Sequence, residues 1–501
     1  MKKKILYFSS LTILSFFMLF IIYANNTYSK FDSSNVIDTI STLSSRTFGG
    51  RLSGTTENSF TSEYIKNKYM KYGLLPYNNS YIQDFNIICP TPIDSSPYLK
   101  IYNNGQIEEE LKYGIDFKED MINFKNNSFS FSNDDNVTIL KSNIQISCSN
   151  GNFLLFIPTD NNLNVRSSFS NNFIFDSIIM ITSDTYDKIV SSLKDNKTIS
   201  IHVPFTNEEK NISNVVAMIK GSKPSLAPLI ITAHFDHLGT DGAGNTYGGS
   251  LDNASGTAFI LELARSLSTF AKPERDIIFV SLNAEELGLL GSKDFAKKNI
   301  SYIKNSEVIN FDMIGSPNTP ISFMQGTSYK DKDSSLLKSL EEICKEEGVS
   351  YNILYQDSSD HASFNNMSID AVSFCHSDLS KIHTPNDTID YIDSDAIDAV
   401  SKVVYSKFKS SCYNSLTLLI YNPIIIIIIS IILGFLLAYG VLSKNNKIMC
   451  DNGYKIFSLL GIVITILSFI LYLKGYRDSI ILMLIFLFSN IIYMYKNKIA
   501  Q

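Results

Sequence analysis

Basic charge is not in excess in this sequence: 43 Lys and Arg stand against 49 Asp and Glu over 501 residues, a formal net charge of −6. A nucleic-acid partner calls for a basic patch or stripe, so that class is set aside. Cysteine is scarce and unpatterned: six residues, with no CxxC pair or regular spacing, exclude a cysteine zinc cluster and a disulfide-dense scaffold. Five of them (Cys89, Cys148, Cys344, Cys375 and Cys412) lie in the stretch read below as external, where one or two disulfides are chemically open. The odd number leaves at least one unpaired within a monomer. No GxSxG nucleophile elbow is evident, which removes the main signal for a serine hydrolase. Tryptophan is absent, within a drift toward Ile, Asn, Lys, Tyr and Phe that carries no functional inference.

Long apolar runs are present, and they sit at the two ends. Residues 5–24, behind MKKK, carry no charge over twenty positions, which suits the roughly 20 residues needed to span a bilayer. A cleaved signal peptide is the rival reading, but its apolar core is usually about 7–15 residues with a small-x-small site. Here Ile22 and Tyr23 precede Ala24, which favours an uncleaved anchor within residues 1–30. Three further spans are expected at about 416–442, 456–473 and 479–495. With four crossings, the lysines at 2–4, 444, 447, 455, 496 and 498 share one side, opposite Lys474 and Arg477. The positive-inside bias then makes this a multi-pass protein of the cell membrane with both termini cytoplasmic and residues 25–415 extracytoplasmic. The expected spans hold no charged residue, so anchoring in the lipid bilayer is simpler than transport.

The external part divides by pattern. Residues 31–89 open with the Gly-rich turn FGGRLSGT and continue as a helix that Gly73 closes. Residues 90–206 carry short alternating runs between Asn, Asp, Ser and Gly clusters and read as a β-rich insertion without a catalytic constellation. In residues 207–410, LAPLIITA, DIIFVSL, EVINF and AVSFC alternate with amphipathic stretches such as SGTAFILELARSL. This is the pattern of an α/β fold, an αβα sandwich with a largely parallel central sheet.

Ligands of such sheets gather beyond the C-terminal ends of the strands, and this is where the polar residues fall. LIITA runs into His234 and Asp236, DIIFVSL into Glu285 and Glu286, EVINF into Asp312, and AVSFC toward His383, while Asp252 precedes the amphipathic helix. Singly, each is a packed histidine, a solvated carboxylate or a helix cap. Jointly they would repel one another unless a divalent cation lay among them.

AHFDHLG, GGSLDNASGTAFILELAR, SLNAEELGLLGS, VINFDMIG, SDHASF and IHTPNDT, in this order over about residues 205–400, resemble the co-catalytic di-zinc aminopeptidases, family 28 of the metallopeptidases. GGRLSGTTENSFTSEYIKNKYMKYGLLPY resembles that family's N-terminal helix. The resemblance implies two zinc ions per chain: His234 and Asp312 on one, Glu286 and His383 on the other, and Asp252 bridging. It further implies Asp236 as the carboxylate orienting His234, Glu285 as general base, and a peptide substrate hydrolysed from its N-terminus. Where the family often has Tyr before the last histidine, this chain has Ile382, so His361 stands as a candidate substrate or oxyanion donor, with a pocket-lining or capping role equally open. His237 and His376 receive no metal role. Carboxypeptidases, glutaminyl cyclases and non-catalytic receptors share the fold and remain the alternatives; the oligomeric state is not legible.

Overall fold

The computed structural model describes residues 2–442, so the expected spans at 456–473 and 479–495 and the six lysines beyond residue 442 lie outside the described residues. By contacts the chain forms two units, a large one of residues 31–268 and 272–408 and a helical one that gathers residues 2–30, 269–271 and 409–442.

The large unit is built on a nine-stranded sheet. Its order is Leu75–Pro76, Phe205–Ile219, Ile277–Leu282, Leu229–His234, Glu307–Phe311, Asp370–His376, Ile321–Gln325 and Tyr351–Tyr355, with Ile82–Pro92 also paired to Phe205–Ile219. The four middle strands, from Ile277–Leu282 to Asp370–His376, are parallel, and both Leu229–His234 and Ile277–Leu282 are buried at every position. Burial on both faces explains why their sequences are unbroken apolar runs rather than alternating ones.

The expectation of a largely parallel sheet is corrected to a mixed one: Phe205–Ile219 and Ile321–Gln325 flank the parallel core antiparallel. The reason is local. Phe205–Ile219 is the return arm of a long antiparallel ladder with Ile82–Pro92, and strand–helix alternation in a sequence does not encode strand direction.

Helices cover both faces. On one, Tyr69 of Thr56–Lys71 packs on Phe279 and bonds Ser281 at 3.0 Å, and Phe259 of Ser255–Thr269 meets Phe311 with ring centroids 4.6 Å apart. On the other, Phe295 and Ile303 of Leu290–Ile303 and Phe364 of His361–Asn365 join Ile230, Ile278, Val280 and Val308 in one core. Each fully buried aliphatic of this kind contributes about 1.5–3 kcal/mol, so the strand ends stand on a rigid base.

Residues 98–202 form two smaller sheets. Phe117–Phe124, Ser177–Ile181, Gly151–Phe156, Asn143–Cys148 and Asn136–Leu140 make one, and Gln106–Leu111, Tyr98–Asn103, Thr198–His202 and Ser128–Phe131 the other. They meet through Phe129 and Phe153, stacked at 3.7 Å.

In the helical unit, Lys2–Thr27 contains the one segment among the described residues long and apolar enough to cross a membrane, Ser9–Thr27; Ile424–Leu436 is a shorter apolar helix. The expected single span at 416–442 is instead broken into Ser415–Ile420 and Pro423–Leu442. Pro423 cannot donate to a preceding turn and restricts Asn422 before it, and the Asn422 side chain caps the new helix by accepting from Ile424 N at 3.0 Å. All five described cysteines are free thiols, so no disulfide forms among them.

Candidate metal centre

The parallel strands end together, and their ends carry the titratable side chains. His234 is the last residue of its strand and pairs with Leu282; Asp312 follows Glu307–Phe311 and donates its N–H to Phe374 O at 3.0 Å. Glu285 and Glu286 lie just past Ile277–Leu282, after Ala284 at φ 58°. Asp252 sits in the turn Ser250–Ala254 that feeds the helix Ser255–Thr269, and its peptide bond to Asn253 is cis. That turn needs Gly249, whose φ is 56° and where a Cβ would come within 2.3 Å of Asp252 O and 2.5 Å of His237 Cδ2.

Six of the residues read from the sequence converge. His234 Nε2 stands 3.4 Å from Asp252 Oδ1 and 3.4 Å from Asp312 Oδ1. The second oxygen of Asp252, Oδ2, is 3.3 Å from His383 Nε2, which is 3.3 Å from Glu286 Oε2. A Glu285 oxygen lies within 4.8 Å of the donor atoms of His234 and Asp312. Two tetrahedral ligands about 2.0–2.1 Å from a zinc ion are themselves about 3.3–3.4 Å apart, so the donor set fits a metal at each end of Asp252. A second observation agrees: His234 Nε2 and Asp312 Oδ1 are buried with no hydrogen-bond partner, which is costly unless something else satisfies them.

The charges agree as well. Burial alone would lower the pKa of His234, yet Glu285 and Asp312 raise it well above its ordinary value; for His383, Glu286 and Asp252 do the same. Burial would raise Glu286 and Asp252, but the facing histidines hold both well below the carboxylate range. Burial pushes Glu285 well above that range; His234 opposes this, while Glu286 and Asp312 add to it. A pocket with these shifts calls for cations.

Asp236 takes a different place from the one expected. Its Oδ1 stands 3.6 Å from His234 Nδ1, too long for a hydrogen bond, while its backbone carbonyl is 3.3 Å from that nitrogen. The carboxylate accepts instead from Glu285 N at 3.1 Å, Glu286 N at 3.3 Å and Ser53 Oγ at 3.2 Å. Asp236 therefore sets the backbone of both glutamates.

His361 is not brought to the site. It is buried, Nδ1 pairs with Ser373 Oγ at 2.8 Å and Nε2 with Gln356 O at 2.9 Å, which leaves no ring nitrogen for an oxyanion and corrects that expectation. It reaches Asp312 only through Ser373, Asn310 and Ser359, whose hydroxyl donates to Asp312 Oδ2 at 2.6 Å. His376 is buried, and its Nδ1 accepts from Gly315 N at 2.8 Å.

Four supporting residues had no role assigned from the sequence. His237 Nδ1 lies 2.9 Å from Glu286 Oε1 and 3.9 Å from Asp252 Oδ2. Together with Asp252 and Glu286 it makes an alternative ligand group, but a normal hydrogen bond already engages Nδ1, whereas His383 Nε2 stands at ligand separation from both carboxylates; His237 orients Glu286. Asp387, inside IHTPNDT, accepts from Leu251 N and Asp252 N at 2.7 and 3.0 Å. Arg51, inside FGGRLSGT, is fully buried and donates to the carbonyls of Phe235, Leu43, Gly248 and Gly249 at 2.7–2.9 Å. Burial lowers its pKa to about 10 against the pull of Asp387 and Asp252, so it remains a cation beneath the carboxylates. Ser168, from the β-rich region, donates to Glu286 Oε2 at 2.9 Å. Asp387, Arg51 and His237 lie inside quoted motifs, whereas Ser168 gave no sign in the sequence.

The model of peptidase family M28 matches residues 214–407. Aminopeptidase YwaD of Bacillus subtilis (strain 168) is 29% identical over 219 residues, 41% of this chain and 46% of that protein. Leupeptin-inactivating enzyme 1 of Streptomyces exfoliatus is 33% identical over 171 residues, 33% of this chain and 36% of that one. The chain thus spans less than half the length of the curated relatives it matches. Among solved structures, an aminopeptidase from Aneurinibacillus sp. strain AM-1 superposes with a TM-score of 0.53 at 20% identity, over 79% of this chain and 97% of that one. BSAP, a zinc aminopeptidase from Bacillus subtilis, gives 0.53 at 17% identity, over 77% and 96%; these likenesses speak for the fold. Residues 214–407 are a peptidase family M28 domain, homologous to zinc aminopeptidases.

Proposed function

We propose that this protein is a zinc-dependent exopeptidase, an aminopeptidase that removes N-terminal residues from peptides at a two-zinc site. The observation that carries the reading is the two-sided exposure of Asp252, with Oδ1 3.4 Å from His234 Nε2 and Oδ2 3.3 Å from His383 Nε2. His234 and Asp312 would hold one zinc, Glu286 and His383 the other, and Asp252 both. Zinc in such a site supplies Lewis acidity toward water and toward the scissile carbonyl.

The chain's own residues handle the proton. Glu285 accepts it from the attacking water as the new C–O bond forms, and returns it to the departing amine as the C–N bond breaks. Burial pushes its pKa above the ordinary carboxylate range, which favours holding that proton until the amine departs. Asp236, through the two N–H groups it accepts, keeps the base and its neighbour in register. The complete donor set favours catalysis over a receptor that only binds peptide.

The helical unit supports membrane anchoring. Ile13, Phe16, Phe20 and Tyr23 on one helix and Ile424, Ile431 and Phe435 on the other are exposed apolar side chains that suit lipid rather than water. At their shared end Tyr28, Phe270, Tyr413 and Tyr421 cluster, with Phe270 and Tyr421 at 4.0 Å and Tyr28 and Phe270 at 4.9 Å, the kind of aromatic group found at membrane interfaces. In this reading the peptidase part faces the exterior.

The test is an assay of the purified full-length protein on free-amino, blocked-amino and free-carboxyl peptides. Cleavage only of free-amino peptides is expected. Release of C-terminal residues from blocked-amino peptides would make it a carboxypeptidase, and cyclisation of N-terminal glutamine without hydrolysis a cyclase.

A further inference from the structure

The β-rich region, which shows no catalytic pattern in sequence, touches the metal centre at one place, and touches it unevenly. Ser168 Oγ donates to Glu286 Oε2 at 2.9 Å, Phe169 N donates to Glu286 O at 2.9 Å, and Arg166 N donates to His383 O at 3.1 Å. All three bonds fall on the two residues of the Glu286 and His383 pair. The supports of the other pair come from the peptidase core: Ser359 for Asp312, and the Asp236 carbonyl for His234.

The segment that makes these bonds is itself fixed. Asp120 accepts from Ser167 N and Ser167 Oγ, both at 2.8 Å. Arg166 is buried, donates to Leu238 O at 2.6 Å, pairs with Glu119 at 3.4 Å, and lies 5.2 and 5.4 Å from the ring centroids of Phe205 and Tyr247. Two buried acids and two aromatic rings thus hold a short loop that has no regular secondary structure of its own. Ser168 itself is exposed, so its hydroxyl contributes to the site and little to packing.

We propose that residues 166–169 form a positioning clamp for one of the two metal sites, the one built by Glu286 and His383, and that Ser168 is its side-chain contact. A carboxylate oxygen can accept along two directions. The Ser168 hydroxyl occupies one at Glu286 Oε2 and turns the other toward His383 Nε2, 3.3 Å away, where a cation would sit. His237 holds the opposite oxygen at 2.9 Å, so the carboxylate is fixed from both ends. Ser168 is a positioning residue, acting through Glu286. The consequence is that the two metals depend on different parts of the chain, one on the peptidase core alone and one also on the β-rich region.

This assignment rests on the two-zinc reading, and its test separates the two. The full-length protein in detergent is stripped of metal and titrated with Zn2+ alone against a chelating indicator, for wild type, Ser168→Ala, Ser168→Thr and Glu286→Gln. Partners that orient a ligand typically govern metal affinity by about 10–100-fold. Ser168→Ala is expected to weaken one zinc by that factor, the same zinc that Glu286→Gln loses, and to leave the other within about twofold; Ser168→Thr, which keeps the hydroxyl, restores it. If wild type binds two ions and Ser168→Ala changes neither, or weakens both alike, the clamp is wrong and the two-zinc reading stands. If wild type binds fewer than two, both fall.

Discussion

Glu285 and Glu286 share one peptide bond and have opposite electrostatic settings. Burial works to raise both, but Glu286 faces His383 and His237 and is held low, whereas Glu285 is pushed up further by Glu286 and Asp312. They are therefore expected to fail differently. Glu285→Gln keeps the size and cannot take up a proton, so turnover should fall by the roughly 10²–10⁴ that acid–base catalysis contributes, with zinc content retained. Glu286→Gln removes an anionic donor, so zinc content should fall together with activity. Elemental analysis beside turnover distinguishes them, and loss of zinc in Glu285→Gln with retention in Glu286→Gln would exchange the roles. The donors were legible because strand ends gather His and carboxylates at one edge. The supporting roles of Arg51, His237 and Ser168 were not: their bonds join positions far apart in sequence, such as Ser168 to Glu286, and no local pattern of charge or periodicity announces such a bond.

At the scale of elements, the apolar runs DIIFVSL, LAPLIITA, EVINF and AVSFC gave the four parallel strands, since burial on both faces leaves a signature in composition. Direction left none, which is why the flanking antiparallel strands were missed. The break at Asn422 and Pro423 was readable in principle and was outweighed by the apolar run around it. Another element-scale bond carries a pH dependence: His376, at the end of Asp370–His376, accepts from Gly315 N and holds the turn after Glu307–Phe311. Burial lowers its pKa to about 4 from 6.5. A depressed histidine favours the folded state fully above its unfolded value and progressively less as pH falls toward the folded one, because the unfolded chain takes up the proton first. Over about pH 6.5 to 4 this amounts to ~3 kcal/mol. His376→Asn, which offers an acceptor without that titration, should flatten the fall in melting temperature between pH 7 and 4.5; an unchanged slope would place the acid sensitivity elsewhere.

At the scale of the whole molecule, a peptidase part and an apolar helical unit are joined in one chain, with Phe270 of the segment 269–271 packed among the aromatic rings of the helical unit. If this unit anchors the protein with its peptidase part outside, protease added to intact cells should release an active fragment, whereas digestion only after lysis would reverse the orientation. The central claim, however, concerns the metals. Its most direct measurement is stepwise return of zinc to the stripped full-length protein, with bound zinc and hydrolysis of a free-amino peptide followed in the same samples. Activity is expected to be absent without metal and to rise to a plateau at two zinc ions per chain, and Asp252→Ala should bind neither ion tightly. Full hydrolysis by protein shown to hold no metal, or two tightly bound zinc ions in Asp252→Ala, would contradict it.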